Sequence, residues 1–146
     1  MVLSILRSVG SVLAGVAVFF ACFAAGEVFS YYFHPYPSGF DFNDFEACKA
    51  HVARYPNWVL ATGAAIWAVA PFTGAWLATR LGTARHPAHG YIVGAILLAF
   101  AGLNLAMLPY PVWFPIVIVG TFLVGTFCGT RLGRGKSTAA LAAHGN

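Results

Sequence analysis

Charge is what this sequence has least of. Four acidic and eight basic residues among 146 make 8% charged, against 60% apolar, where a soluble domain carries about 25% charged residues. So few charges cannot solvate a globule of this size, which excludes a soluble enzyme and a disordered chain. The three cysteines form no CxxC pair. A disulfide scaffold and a thiolate zinc or redox motif are thereby excluded. No phosphate loop of the GxxxxGK[ST] kind occurs, and no Ser, Thr or Cys has a base placed beside it by spacing. Catalysis has no visible signature here.

What is abundant is uncharged length. Between Arg7 and Glu27 lie 19 residues without charge, and between Arg54 and Arg80 lie 25 more. From His86 to Thr130 no Lys, Arg, Asp or Glu appears in 45 residues. Leu108-Pro109-Tyr110-Pro111 divides that stretch, because a helix cannot continue through it. Each half is then about 28 Å long as a helix, enough to cross a bilayer core. The expected fold is an all-α membrane protein, a single four-transmembrane-helix domain over 1–146. Its spans are expected near 8–33, 57–81, 89–108 and 112–131, with a flexible tail at 137–146. The first span reads as an uncleaved helix rather than a signal peptide, since its apolar run continues through Val28-Phe29 to Tyr31-Tyr32-Phe33.

Arg7, Arg80, Arg85, Arg131, Arg134 and Lys136 fall on one side of four crossings, and only Lys49 and Arg54 on the other. The basic side is the cytoplasmic one, so both termini are expected in the cytoplasm. The positive net charge reflects topology and attraction to anionic lipid; nucleic acid is not implied. On the outer side Tyr31, Tyr32, Tyr36, Tyr55, Trp58, Tyr110 and Trp113 read as an aromatic belt. In the outer loop, residues 44–54 read as a short amphipathic helix on the membrane surface, capped by Asp41 or Asn43, with Phe45, Cys48 and Val52 on one face.

The two halves resemble each other. His34-Pro35-Tyr36-Pro37 matches Leu108-Pro109-Tyr110-Pro111, and Tyr55-Pro56-Asn57-Trp58 matches Tyr110-Pro111-Val112-Trp113. Thr79-Arg80-Leu81-Gly82 matches Thr130-Arg131-Leu132-Gly133. Two parallel helical-hairpin repeats are expected, about 1–85 and 86–136, related by a pseudo-two-fold axis along the membrane normal. Ala70, Gly74, Ala78 and Gly82 recur every fourth residue, as do Thr121, Gly125, Gly129 and Gly133. Such ridges of small residues let helix backbones approach closely in lipid, and Gly90 and Gly94 add to them.

Glu27 is the only acidic residue inside an expected span, two turns before Pro35. An ionisable group there marks a candidate site. Asn104, five residues before Pro109, should sit at a similar depth, with His34 at the rim. Glu27, His34 and Asn104 therefore form a candidate polar pocket for a cation, a proton or a head group, with a Glu27–Asn104 contact at its centre. The plainer alternative is a hydrogen bond from Asn104 or a tyrosine that locks the bundle. His86-Pro87-Ala88-His89 has HxxH spacing but lacks further ligands nearby. It reads as a loop pair; no metal and no cofactor are expected.

The acid near the end of the first span, the Pro-rich turn, the Trp and small residues of the second, and Asn104…Pro109-Tyr110-Pro111-Val112-Trp113-Phe114 together carry a resemblance. The chain resembles small four-helix bacterial integral membrane proteins with no known activity. That resemblance implies an inner-membrane location and no chemistry. The favoured reading is a non-enzymatic structural or accessory protein, partnered by lipid and by copies of itself or a larger membrane complex. A small transporter or channel subunit with an outer-leaflet polar site is the alternative, followed by an enzyme acting on lipid or quinone.

Overall fold

The computed structural model describes residues 1–134, so the expected tail at 137–146 lies outside the described residues. The described chain is all-helical: α1 (Val2–Phe33), α2 (Phe45–Val52), α3 (Asn57–Leu81), a 3₁₀ turn (Thr83–Arg85), α4 (Ala88–Met107) and α5 (Trp113–Arg134). Four of these, α1, α3, α4 and α5, are long and apolar enough to cross a membrane.

Proline sets most of the boundaries. Pro35 follows α1 directly after His34, whose N–H still donates to the Ser30 carbonyl at 2.7 Å. Pro56 precedes α3, Pro87 precedes α4, and Pro109 and Pro111 separate α4 from α5. Pro115 lies in the first turn of α5, where its missing N–H has no intrahelical partner to lose. Only Pro71 lies in a helix interior, within α3. It leaves the Trp67 carbonyl without its usual amide.

The capping of α2 differs from expectation. Asp44 is the N-cap, its Oδ1 accepting from the amides of Glu46 at 3.0 Å and Ala47 at 3.1 Å. Asp41 instead accepts from the Asn43 amide at 2.8 Å, closing an Asx turn one step earlier. The two aspartates divide the work by position: only a residue directly before the helix reaches its second and third amides.

α3 is the spine of the bundle. It packs along α5 and α1 and also meets α4, whereas α1 and α5 share no extensive face. The small residues explain how. A Cβ on Gly74 would meet the Gly15 carbonyl oxygen of α1 at 2.8 Å, so those two backbones touch. On α5, a Cβ on Gly125 would meet Pro71 at 3.1 Å, and one on Gly129 would collide with the Phe72 carbonyl. One on Gly133 would meet the Trp76 carbonyl at 2.8 Å. The α5 ridge thus seats on the Phe72–Trp76 backbone and on the Pro71 and Thr79 side chains, while Gly74 of α3 faces α1 instead. Thr121 lies beside the ridge and bonds back to the Val117 carbonyl of its own helix at 2.8 Å. Gly82 lies against the His89 ring, and Gly90 and Gly94 leave room for Thr130 and Thr126. Ala70 and Ala78 are fully buried.

Burial runs opposite to hydropathy. In the most apolar 18-residue stretch of each span, α1 has the highest mean hydropathy and is only 17% buried, whereas α3 has the lowest and is 44% buried. The starting end of α1 is nevertheless tied down. Arg7 Nε donates to the Leu81 carbonyl at 2.8 Å, and Thr83 Oγ1 donates to the Ser4 carbonyl at 3.0 Å.

Candidate functional site

At the α2 end the helices part around a cavity of about 420 Å³. α1 contributes Phe23, Glu27 and Ser30, α3 contributes Val59, Leu60 and Trp67, and α4 contributes Asn104. Tyr110 and Phe114 close one side, and Tyr36, Tyr55 and the α2 residues Cys48, His51 and Val52 cover it. Aromatic rings build its base. Trp67 stacks on Phe23 at 5.5 Å, and Tyr110 stacks on Phe114 at 4.5 Å.

α2 therefore roofs a chamber, which is more than the surface helix its apolar face suggests. Cys48 and Val52 line the chamber, whereas Phe45 is 42% exposed and takes the Lys49 ammonium over its ring at 4.6 Å. His51 holds the roof in place. Its ring is stacked between His34 and Tyr36, each at 4.4 Å, with Tyr55 edge-on at 5.4 Å. These rings come from the end of α1, the outgoing loop, α2 and the segment before α3. The stack joins all four.

Glu27 and Asn104 line the same chamber. Among the described residues, however, no hydrogen bond joins them. The Asn104 amide oxygen accepts from Tyr110 Oη at 3.0 Å, which satisfies the amide from within its own hairpin. Glu27 lines the chamber and has no hydrogen-bond donor or ion-pair partner among the described residues. The lone salt bridge described, Lys49–Glu46 at 2.9 Å, lies within α2. His34 is absent from the chamber wall. Instead of sitting at its mouth, it backs the His51 ring, with Nε2 buried and unpartnered.

Three phenols that sequence reading assigns to the aromatic belt turn inward. Burial pushes the Tyr36 and Tyr110 hydroxyls up, and Glu27 adds to both shifts. Burial pushes Tyr55 up to about 12, with Tyr36 and Glu27 contributing. All three stay protonated donors at neutral pH. The chamber thus combines phenol donors, an amide and an unpaired carboxylate on an aromatic floor. Belt and chamber tyrosines share one sequence signature, and the flanking prolines were the available signal for the inward ones. His51 gave no signal except its place opposite the cap on α2. Elsewhere, His89 Nδ1 bonds the His86 carbonyl at 2.9 Å with the rings 6.5 Å apart.

The roof should respond to acid. Burial lowers the His51 pKa below the usual histidine value, and the His34 and Arg54 charges add to the effect against an opposing contribution from the His34 backbone. A detached loop then binds the proton more readily than the packed one. The stabilisation is complete above the ordinary histidine pKa of about 6.5 and is lost as pH falls through the lowered value. Amide exchange in α2, corrected for intrinsic rate, should accelerate between pH 7.5 and 5. In a His51→Phe variant most of that acceleration should vanish; an unchanged pH dependence would remove His51 from the explanation.

No protein-family model matches this sequence, and no curated protein or solved structure matches it either.

Proposed function

We propose that the chain is a non-enzymatic accessory protein of the bacterial inner membrane, with both termini inside, and that its outer chamber binds a small cationic head group. The unpaired Glu27 carboxylate in a cavity rich in aromatic rings carries this reading. A carboxylate inside a membrane protein is retained at a cost and ordinarily faces a partner. Stacked rings and phenols suit an organic ammonium ion, which they attract through their faces. The basic asymmetry of the loops supports the orientation. The matching Thr-Arg-Leu-Gly helix ends support an origin in two hairpin repeats, the first having acquired α2 as a roof.

Transport fits less well. A conducting path needs polar groups below the chamber, but Thr73 and Thr121 bond carbonyls of their own helices, and the Thr79 and Thr130 hydroxyls are fully buried beside Gly90 of α4. A thiol enzyme fits no better, because Cys48 Sγ points to the Phe42 carbonyl at 3.9 Å and makes no bond to His51.

Cys48 lines the chamber and reports its occupancy. Butylammonium should slow alkylation of Cys48, read by peptide mass in the detergent-extracted protein, whereas sodium at equal ionic strength should not. Glu27→Gln should fold like the parent and weaken that protection about tenfold, as expected for losing a charged partner. Equal protection of parent and variant would sink the reading.

A further inference from the structure

A second cavity, of about 200 Å³, lies between α1 and α4. Phe19 and Phe20 of α1 and Phe100 and Ala101 of α4 line it, together with Phe23, Trp67 and Asn104. The last three also line the chamber, so the two cavities share a wall. The groove is almost wholly apolar, with Asn104 its one polar side chain. Its outer rings face the membrane: Phe20 is 54% exposed and Phe100 is 47% exposed. They meet edge to face at 6.2 Å, and Phe100 stacks on Phe19 at 6.3 Å. Small Ala101, 3% exposed, forms the bottom. Nearer the opposite end the same two helices close up, since a Cβ on Gly15 would meet Val93 at 2.9 Å. The gap is therefore confined to the level of the chamber.

We infer that the ligand is an amphiphile with one apolar chain: its cationic head lies in the chamber by Glu27, and its chain leaves through the aromatic groove between α1 and α4 into the bilayer. This rests on the chamber being a head-group site. Three observations carry the extension. The groove adjoins the polar chamber across Phe23, Trp67 and Asn104 and opens on the lipid-facing surface, so a ligand that displaces one of these side chains reaches the chamber without crossing water. Its lining changes from Glu27, Ser30 and tyrosines to phenylalanines over the distance from head to tail. Aromatic rings at the mouth are themselves partly exposed and can turn to admit a flexible chain. A head group bearing only negative charge is disfavoured, because it would face Glu27 with no lysine or arginine in the chamber wall.

The test compares octylammonium with butylammonium as protectants of Cys48 in the extracted protein. Octylammonium should protect at a concentration at least tenfold lower, since each buried methylene adds to affinity. Partition of the longer chain into detergent is common to every variant and cancels on comparison. Ala101→Leu fills the bottom of the groove and should remove most of the octyl advantage while leaving butylammonium unchanged. Phe100→Ala alters an exposed wall instead and should reduce the advantage at least threefold, so the test survives if the first variant does not fold. Octyl sulfate should protect at least tenfold less well than octylammonium. If both folded variants keep the full octyl advantage, the chain lies elsewhere and the inference fails while the chamber reading stands. If neither amine protects, both fail together. A dimer of the parent that Phe100→Ala dissolves would show the groove filled by a second copy and would also overturn it.

Discussion

Leucine in place of Gly129 will sharply destabilise the extracted bundle, while leucine in place of Gly120 will leave it nearly unchanged. Both glycines lie on α5, so helix propensity and membrane insertion are matched. They differ in what a side chain would meet. At Gly120 nothing lies within 4 Å of a Cβ, whereas at Gly129 the first carbon would overlap the Phe72 carbonyl and come within 3.1 Å of the Trp76 amide. Neither neighbour is a side chain that can rotate away. The α3 and α5 backbones must separate, and separation loosens contacts along the whole seam. Overpacking a tight core costs about 1–3 kcal/mol. A seam made of two backbones should reach or exceed the upper end. Denaturant titration in mild detergent, followed by circular dichroism, checks the pair. Equal stability of the two variants would mean that the α5 ridge does not hold the bundle together.

Removal of the Trp67 indole will have a comparable effect for the opposite reason. Trp67 is 9% exposed, stacks on Phe23 at 5.5 Å and meets Phe114 edge-on at 6.3 Å. Its Nε1 lies where a Cβ on Gly26 would come within 2.7 Å, so the ring fills the gap that this glycine leaves. Trp67→Ala empties that gap and fuses the chamber with the groove beside it. Loss of a buried tryptophan costs about 3–5 kcal/mol where the surroundings cannot collapse. Here collapse is resisted, because α1 and α3 are already in backbone contact at Gly15 and Gly74. Trp67→Phe should recover much of the loss. A Trp67→Ala protein within 1 kcal/mol of the parent would show that Trp67 is a lining residue without structural weight.

Helix positions were legible because prolines and charges punctuate this chain so sharply. Glu27 and Asn104 could be placed at one depth by counting back from Pro35 and Pro109, and both line one chamber. Their partners could not be read the same way. Whether Asn104 bonds Glu27 or Tyr110 depends on how tightly the α4–α5 turn folds back, and Tyr110, six residues on, has the shorter route. The fate of the loop between α1 and α3 was hidden for a similar reason. Phe45, Cys48 and Val52 make a face that suits lipid as well as a chamber. What decides is the stacking of His51 between His34 and Tyr36, which joins residues far apart in sequence. The small-residue ridges were visible as a period, yet a period does not say which helix each ridge meets.

The inverse relation between burial and hydropathy also constrains how the molecule is made. A membrane accepts each helix by its own apolarity before the helices find one another. α1, the most apolar and least covered span, can enter alone and wait in lipid. α3 gains more from neighbours, since its small residues, Pro71 and Thr79 are buried against the other helices. α1 offers it such a neighbour, with Gly15 placed to receive Gly74. Synthesis delivers them in that order, and α5 arrives last to close the remaining face of α3. The order of the helices along the chain is thus also a workable order of assembly, in which each newcomer finds its surface already present.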